Sequence, residues 1–370
     1  MLTKFSVSNF KSFNTEFIFD LKDTNSYEFN QASVKNNIVN NALVYGHNGV
    51  GKSNLGLAIF DIIGHLTDTK SPDLEYSIYL NALSKSETAH FCYEFLFDNN
   101  KVIYEYKKTN NKTILFEKFS LNDIELAYID RNLSNEARVN FSGTENLKTE
   151  LDNKELSLLK YIKNNSVLDL NAENEALQSF FKFIESMLFF RSLQRNMFIG
   201  LETDNTHITD DIIAKGNVLD FESFLNRAGI ECKLSVVKEL EKETLAFDFD
   251  GNTIPFMRTA SQGTRTLTLF YFWLQRLKIE AKVSFLFIDE FDAFYHHELS
   301  ASIVEELKKT GVQFILTTHN TSIITNDLLR PDCYFLMNRN SIRSLAKSTP
   351  KELREAHNIE KMYKSGTFNG

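Results

Sequence analysis

Gly46-His47-Asn48-Gly49-Val50-Gly51-Lys52-Ser53 has the spacing G-x-x-x-x-G-K-[ST], and these residue types suit one kind of chemistry. Glycines let a backbone approach a polyphosphate with no Cβ in the way, so successive N–H groups and a helix N-terminus point at the anion. Lys52 is placed to reach the β- and γ-phosphates, and the Ser53 hydroxyl to ligand Mg²⁺. Two further stretches carry polar groups where an apolar run ends. Val283-Ser284-Phe285-Leu286-Phe287-Ile288 leads into Asp289-Glu290, and Val312-Gln313-Phe314-Ile315-Leu316 leads into Thr317-Thr318-His319. Asp289 suits a Mg²⁺ held through water, Glu290 the polarisation of an attacking water, and His319 a hydrogen bond to a γ-phosphate.

Such groups need elements that bring them together. Ala42-Leu43-Val44-Tyr45 reads as a buried strand before the glycine-rich loop, and Leu55, Ala58, Ile59, Ile62, Ile63 and Leu66 follow as one face of a helix. The runs ending in Asp289 and His319 are almost wholly apolar, as parallel strands covered on both faces are, and a ligand crevice is expected at their carboxyl ends. Ser261-Gln262-Gly263-Thr264 precedes Leu267, Phe270, Tyr271, Leu274 and Leu277 at helical spacing, which presents a second capped helix start. Each piece has a plainer use, as a capped helix, a solvated strand end or a core histidine. Their occurrence in one chain points to a nucleoside triphosphate site in an α/β fold with a P-loop core.

Between these pieces the pattern changes. Phe91–Phe97, Val102–Tyr106 and Thr113–Phe119 are short β-rich runs separated by Asp98-Asn99-Asn100 and Thr109-Asn110-Asn111-Lys112, which predicts an antiparallel meander. Residues 145–186 turn helical. The expected organisation is an ATPase core of 1–70 and 185–345, an inserted β-meander and helical lobe over 71–184, and a basic tail over 346–370. That tail is expected to be solvated.

The 370 residues carry a net charge of −8, so a protein that coats nucleic acid is not expected, and any DNA contact falls to a local patch. Cys92, Cys232 and Cys333 stand far apart without ligand spacing, as free thiols in a reducing compartment do. No signal-peptide pattern and no apolar run of ~20 residues is present; a cytoplasmic location is the expectation.

The order of phosphate loop, long insertion, Ser-x-Gly-Thr helix start, Asp-Glu strand and strand-His resembles the ATP-binding-cassette type of ATPase. The branch is that of SMC-like, RecF-like and OLD-family proteins, and more narrowly the AAA-type ATPases of bacterial anti-phage and abortive-infection operons. Phe5-Ser6-Val7-Ser8-Asn9-Phe10-Lys11-Ser12-Phe13, Thr317-Thr318-His319-Asn320 and His357–Phe368 also carry the resemblance. It implies ATP and Mg²⁺ as cofactors, with Gly46, Asn48, Gly49, Val50, Gly51, Lys52, Ser53 and Asn54 cradling the nucleotide and Lys11 contacting it. It implies that Ser261, Gly263 and Thr264 touch the γ-phosphate held by a second copy of the chain, and that Asp292 lies at the cross-subunit loop. His319 resembles the switch histidine, Gln194 the Mg²⁺-binding glutamine, and His296 and His297 are candidates for supporting the dimer contact.

The departures also carry meaning. Ser-Gln-Gly-Thr differs from the transporter signature, no long heptad arm occurs, and no room is left for an appended TOPRIM nuclease. The implied function is a Mg²⁺-dependent ATP hydrolase forming a homodimer or higher homo-oligomer and controlling a separate nuclease or toxin in anti-phage defence. The alternative is a RecF-like repair ATPase clamping DNA; no membrane partner is implied.

Overall fold

The computed structural model describes residues 1–69, 75–191, 197–200, 207–239, 242–278, 283–293 and 297–368. Unbroken apolar runs and alternating runs separate into two sheets. The unbroken runs β5 (Asn41–Tyr45), β11 (Met187–Arg191), β16 (Phe285–Asp289), β17 (Gln313–Thr318) and β18 (Tyr334–Met337) lie parallel in the order β11-β16-β17-β5-β18. Antiparallel edge strands β12 (Met197–Gly200) and β19 (Ile342–Ser344) flank them. Every residue of β5, β16 and β17 is buried, the mark of strands covered on both faces.

The second sheet is antiparallel. It comprises β1 (Leu2–Ser8), β2 (Phe17–Asp20), β6 (Ala89–Phe97), β7 (Asn100–Lys108), β8 (Ile114–Leu121), β9 (Ile124–Asp130) and β10 (Arg138–Val139), in the order β10-β9-β8-β7-β6-β1-β2. Along β6, Ala89, Phe91, Tyr93 and Phe95 are buried while His90, Cys92 and Glu94 are half-buried on the other face, the period of two expected of a sheet with one wet side. β6 pairs with β1 from Leu2↔Phe95 to Ser8↔His90. The meander within 71–184 is therefore continuous with the N-terminal hairpin, because β1 needs a partner on each edge.

Smaller pieces complete the strands: the hairpin β3 (Val34–Lys35) and β4 (Ile38–Val39), and the sheet β13 (Leu234–Glu239), β14 (Lys242–Phe249) and β15 (Asn252–Pro255). The helices are α1 (Lys52–Phe60), α2 (Ile63–Leu66), α3 (Leu158–Asn165), α4 (Ala172–Glu185), α5 (Ile208–Ala214), α6 (Val218–Arg227), α7 (Phe256–Thr259), α8 (Gln262–Leu277), α9 (His297–Thr310) and α10 (Ile359–Lys364). Among the described residues no helix is long and apolar enough to cross a membrane. The tail is packed, where a solvated tail was expected: Leu353, Ile359 and Phe368 are buried. The side-chain amide nitrogen of Asn326 lies 2.9, 3.0 and 3.2 Å from the carbonyls of Arg354, Glu355 and His357.

The helix after the glycine-rich loop also differs from its one-faced expectation. Leu55, Gly56, Leu57, Ala58, Ile59 and Phe60 are all buried, as in a helix enclosed on every side. Gly56 sets the approach to the parallel sheet; a Cβ there would stand 2.7 Å from Phe287 and 3.0 Å from Phe189. On the other side Tyr93 of β6 donates its hydroxyl to the Ala58 carbonyl at 2.9 Å. Asp61, which ends α1, accepts from Tyr79 and Tyr106 hydroxyls at 2.9 Å each and from the Lys108 ammonium at 2.7 Å.

Lys108 and Asp61 are 0% and 3% exposed, so each charge depends on the other for solvation. Burial alone pushes the Lys108 pKa down, and Asp61 opposes that shift. Lys108→Met is expected to destabilise the fold by about 3–5 kcal/mol by leaving an uncompensated buried carboxylate. Urea unfolding checks this, with Lys108→Met/Asp61→Asn expected to recover part of the loss.

Candidate functional site

β5 delivers its last residue, Tyr45, to the edge where the glycine-rich loop begins, and α1 starts at Lys52. Gly51 has φ +106° and Gly49 φ +78°, left-handed conformations that disfavour any side chain. A Cβ on Gly46 would lie 2.7 Å from the Met337 carbonyl, and one on Gly51 2.6 Å from the Ser12 hydroxyl, whereas one on Gly49 would meet open space. The loop is thus walled behind and open in front. Asn54 donates its side-chain amide to the Ser12 hydroxyl at 2.9 Å, so Ser12 braces the loop from the N-terminal turn.

Lys52 is 5% exposed. Its ammonium donates to the Gly46 carbonyl at 2.8 Å and stands 3.0 Å from His319 Nε2. Burial lowers its pKa, and Glu290 and then Asp289 act in the opposite direction. Two carboxylates are near enough to hold the lysine charge in a poorly solvated place.

Strand register brings those carboxylates there. Arg191 pairs with Asp289, Ile288 with Leu316, and Thr318 with Tyr45, so four strand ends lie side by side. Asp289 is 2% exposed. Its Oδ1 accepts from the Thr317 hydroxyl at 2.8 Å and its Oδ2 from Arg191 Nε at 3.2 Å. The same Thr317 hydroxyl accepts the Glu290 backbone N–H at 2.7 Å. Glu290 has φ +50°, a conformation that strains a non-glycine residue and turns its carboxylate toward His319, 3.3 Å away. Thr318 holds the Asp292 carboxylate at 2.7 Å, and burial raises the Asp292 pKa.

An open cleft of ≈ 750 Å³ is lined by Asn48, Gly49, Glu290, Asp292, Ala293, His319 and Asn320. One ring nitrogen of His319 cannot both accept from Lys52 and donate to Glu290, so the imidazole tautomer decides which pair forms. The donor set of Ser53 hydroxyl and Asp289 carboxylate consists of hard oxygens. That fits Mg²⁺, which is usually held by one or two carboxylates together with substrate phosphates and water.

Not every expected residue joins this group. Ser261, Gly263 and Thr264 do not line the cleft. Ser261 is exposed and caps α8, accepting the Thr264 N–H at 3.1 Å. The Lys11 ammonium is bound to the carbonyls of Glu75 and Ile78, and its neighbour Ser12 touches the loop. Gln194 and His296 lie outside the described residues, and His297 opens α9. Sequence reasoning assigned no role to Thr317, Thr318, Ser12, Arg191 or Glu75. Arg191 carried a signal, since it ends an apolar core strand just as Asp289 does.

The family described as "AAA domain, putative AbiEii toxin, Type IV TA system" matches residues 42–325. Comparison with curated proteins finds no match. Among solved structures, the SMC head domain from Thermotoga maritima is similar at a TM-score of 0.43 and 15% identity, covering 93% of this chain and 98% of that one. An SMC head bound to the C-winged helix domain of ScpA gives a TM-score of 0.48 at 15% identity, covering 94% and 99%. An SMC head with an extended coiled coil, bound to the C-terminal domain of ScpA derived from Pyrococcus furiosus, gives 0.47 at 13%, covering 94% and 97%.

The backbone of Glu290 supplies a test of the strain. Glu290→Gly is expected to be about 1 kcal/mol more stable than Glu290→Ala, because only glycine relaxes at a positive φ. Thermal unfolding of the two variants reads the difference.

Proposed function

The chain belongs to the AAA-domain family whose match spans residues 42–325, and on that premise we propose that it is a Mg²⁺-dependent ATP hydrolase. In this reading it pairs two copies around bound ATP and governs a separate effector in bacterial anti-phage defence. The observation that carries the reading is the meeting of Glu290 and His319 in one cleft with Lys52 of the glycine-rich loop bonded to His319 beside them.

The residue roles are part of the same proposal. The open face at Gly49 admits a polyphosphate against the start of α1, where backbone N–H groups favour anions. The Lys52 ammonium leaves the Gly46 carbonyl for a phosphate oxygen, which is the stronger, charge-assisted partner. Ser53 and Asp289 would hold Mg²⁺, which when bound would draw charge from the phosphate oxygens. Glu290 accepts a proton from water as the water oxygen bonds to the γ-phosphorus and the bond to the ADP oxygen breaks. His319 hydrogen-bonds the γ-phosphoryl group.

The exposed Ser261 at the start of α8 supports a site completed by a second copy, since it lies at a helix N-terminus and does not line its own chain's cleft. Contact with the γ-phosphate from both sides supplies the differential affinity that a ligand-driven change of assembly requires. The family description, which names a toxin and a type IV TA system, supports a toxic effector.

Glu290→Gln is expected to lower phosphate release by about 100-fold or more and to hold an assembled, ATP-bound form. Lys52→Ala is expected to remain unassembled. Light scattering with ATP and Mg²⁺ distinguishes them; equal masses for the two variants count against the reading.

A further inference from the structure

Asp289 is shared between partners of unlike charge. Thr317 fixes one oxygen as a neutral donor, while Arg191 brings a full positive charge to the other. Arg191 is itself shared, with its Nη1 3.1 Å from Glu75 Oε2. The side chains of Asp289, Arg191 and Glu75 are 3%, 13% and 20% exposed, so water screens their interactions weakly.

Glu75 is not free to follow the guanidinium. Lys11 binds the carbonyls of Glu75 and Ile78, and the Lys11 backbone N–H donates to the Tyr79 carbonyl at 2.9 Å. Tyr76 donates to the Leu57 carbonyl on α1 at 3.0 Å, and Tyr79 to Asp61 at 2.9 Å. The Lys11 charge also faces Glu75, Arg191 and Asp61. The backbone around Glu75 is therefore held in place, and its carboxylate shares the Arg191 guanidinium with Asp289.

We propose that Glu75 and Arg191 are positioning residues that set how tightly Asp289 holds Mg²⁺, Arg191 opposing the metal and Glu75 drawing Arg191 off the carboxylate. The proposal rests on Asp289 being a metal ligand, as above. A guanidinium on Oδ2 takes up part of the charge that Mg²⁺ needs, and two cations beside one carboxylate repel. A second carboxylate on the same guanidinium weakens both effects. The segment from Glu75 to Tyr79 touches the N-terminal turn and α1, so a displacement of either reaches the metal ligand through the two ion pairs that share Arg191.

The test is Mg²⁺ titration of fluorescent ATP-analogue binding to the full chain, with melting in EDTA as the check on folding. Glu75→Gln, which has nearly the shape of its parent, is expected to raise the half-saturating Mg²⁺ concentration about tenfold, and Arg191→Met to lower it about tenfold. Arg191→Lys keeps the charge and is expected to stay near wild type. The double variant is expected to match Arg191→Met, since Glu75 acts only through Arg191. A folded Glu75→Gln protein with an unchanged midpoint overturns the proposal, and so does a double variant in which the two shifts sum to zero. Glu75→Gln decides alone if Arg191→Met does not fold. A wild-type protein whose nucleotide binding ignores Mg²⁺ overturns the metal-site reading itself, a different result from either.

Discussion

A parallel strand has a single carboxyl end, and neighbouring parallel strands in register line those ends up along one edge. In this chain that constraint assembles the site. Tyr45, Arg191, Asp289 and Thr318 are strand ends separated widely in sequence and adjacent in the sheet. The interiors of the strands are fully buried, so the first polar residue after each run emerges at the same rim. Charges concentrated there are poorly solvated, with Lys52 at 5% and Asp289 at 2% exposure. Such groups are stable only in one another's company, which is why a lysine, an arginine and two carboxylates occupy the rim together.

Delivery to one edge does not aim the groups. Aiming falls to two adjacent threonines and one strained backbone. Thr317 donates to Asp289 and accepts from the Glu290 N–H, so a single hydroxyl orients both acids. Thr318 likewise donates to the Asp292 carboxylate. The positive φ of Glu290 turns the chain sharply at the end of β16. The two acids thereby take different directions, Asp289 toward Arg191 and Glu290 toward His319. A local strain of this kind persists only where surrounding hydrogen bonds over-determine the conformation.

What the sequence disclosed, and what it did not, follows from the range of each interaction. The glycine-rich loop, the Ser261 cap and the Asp289 strand end are local patterns, readable from spacing alone. The two sheets were likewise readable, since alternation and unbroken apolar runs have different periods. Arg191 and Glu75 were not, because their meaning arises only in contacts across 98 and 116 residues. Lys11 was expected at the nucleotide, but the left-handed turn at Asn9 and Lys11 carries its ammonium to the Glu75 and Ile78 carbonyls and leaves Ser12 on the loop. The all-round burial of α1 was hidden for the same reason: Tyr93 and Lys108, which cover its outer side, lie 35 and 47 residues beyond the groups they bind.

That enclosure bears on how nucleotide binding could move the molecule. Lys52 opens the nine-residue helix α1 and Asp61 caps its other end. The first is held over the phosphate loop, and the second is locked to Tyr79 of the segment before β6 and to Tyr106 and Lys108 of the opposite sheet. Sliding α1 would break a buried ion pair and drive Gly56 away from its fitted contact with Phe287 and Phe189. Breaking such a pair costs about 3–5 kcal/mol, more than the 1–3 kcal/mol typical of coupling between sites. A conformational response to ATP is therefore cheaper elsewhere. The exposed start of α8 at Ser261 and Gln262 is one such place, and the Glu75–Arg191–Asp289 ion pairs at the rim are another. On the proposed function, the rigid helix fixes where a phosphate sits, and softer contacts around it are left to register its arrival.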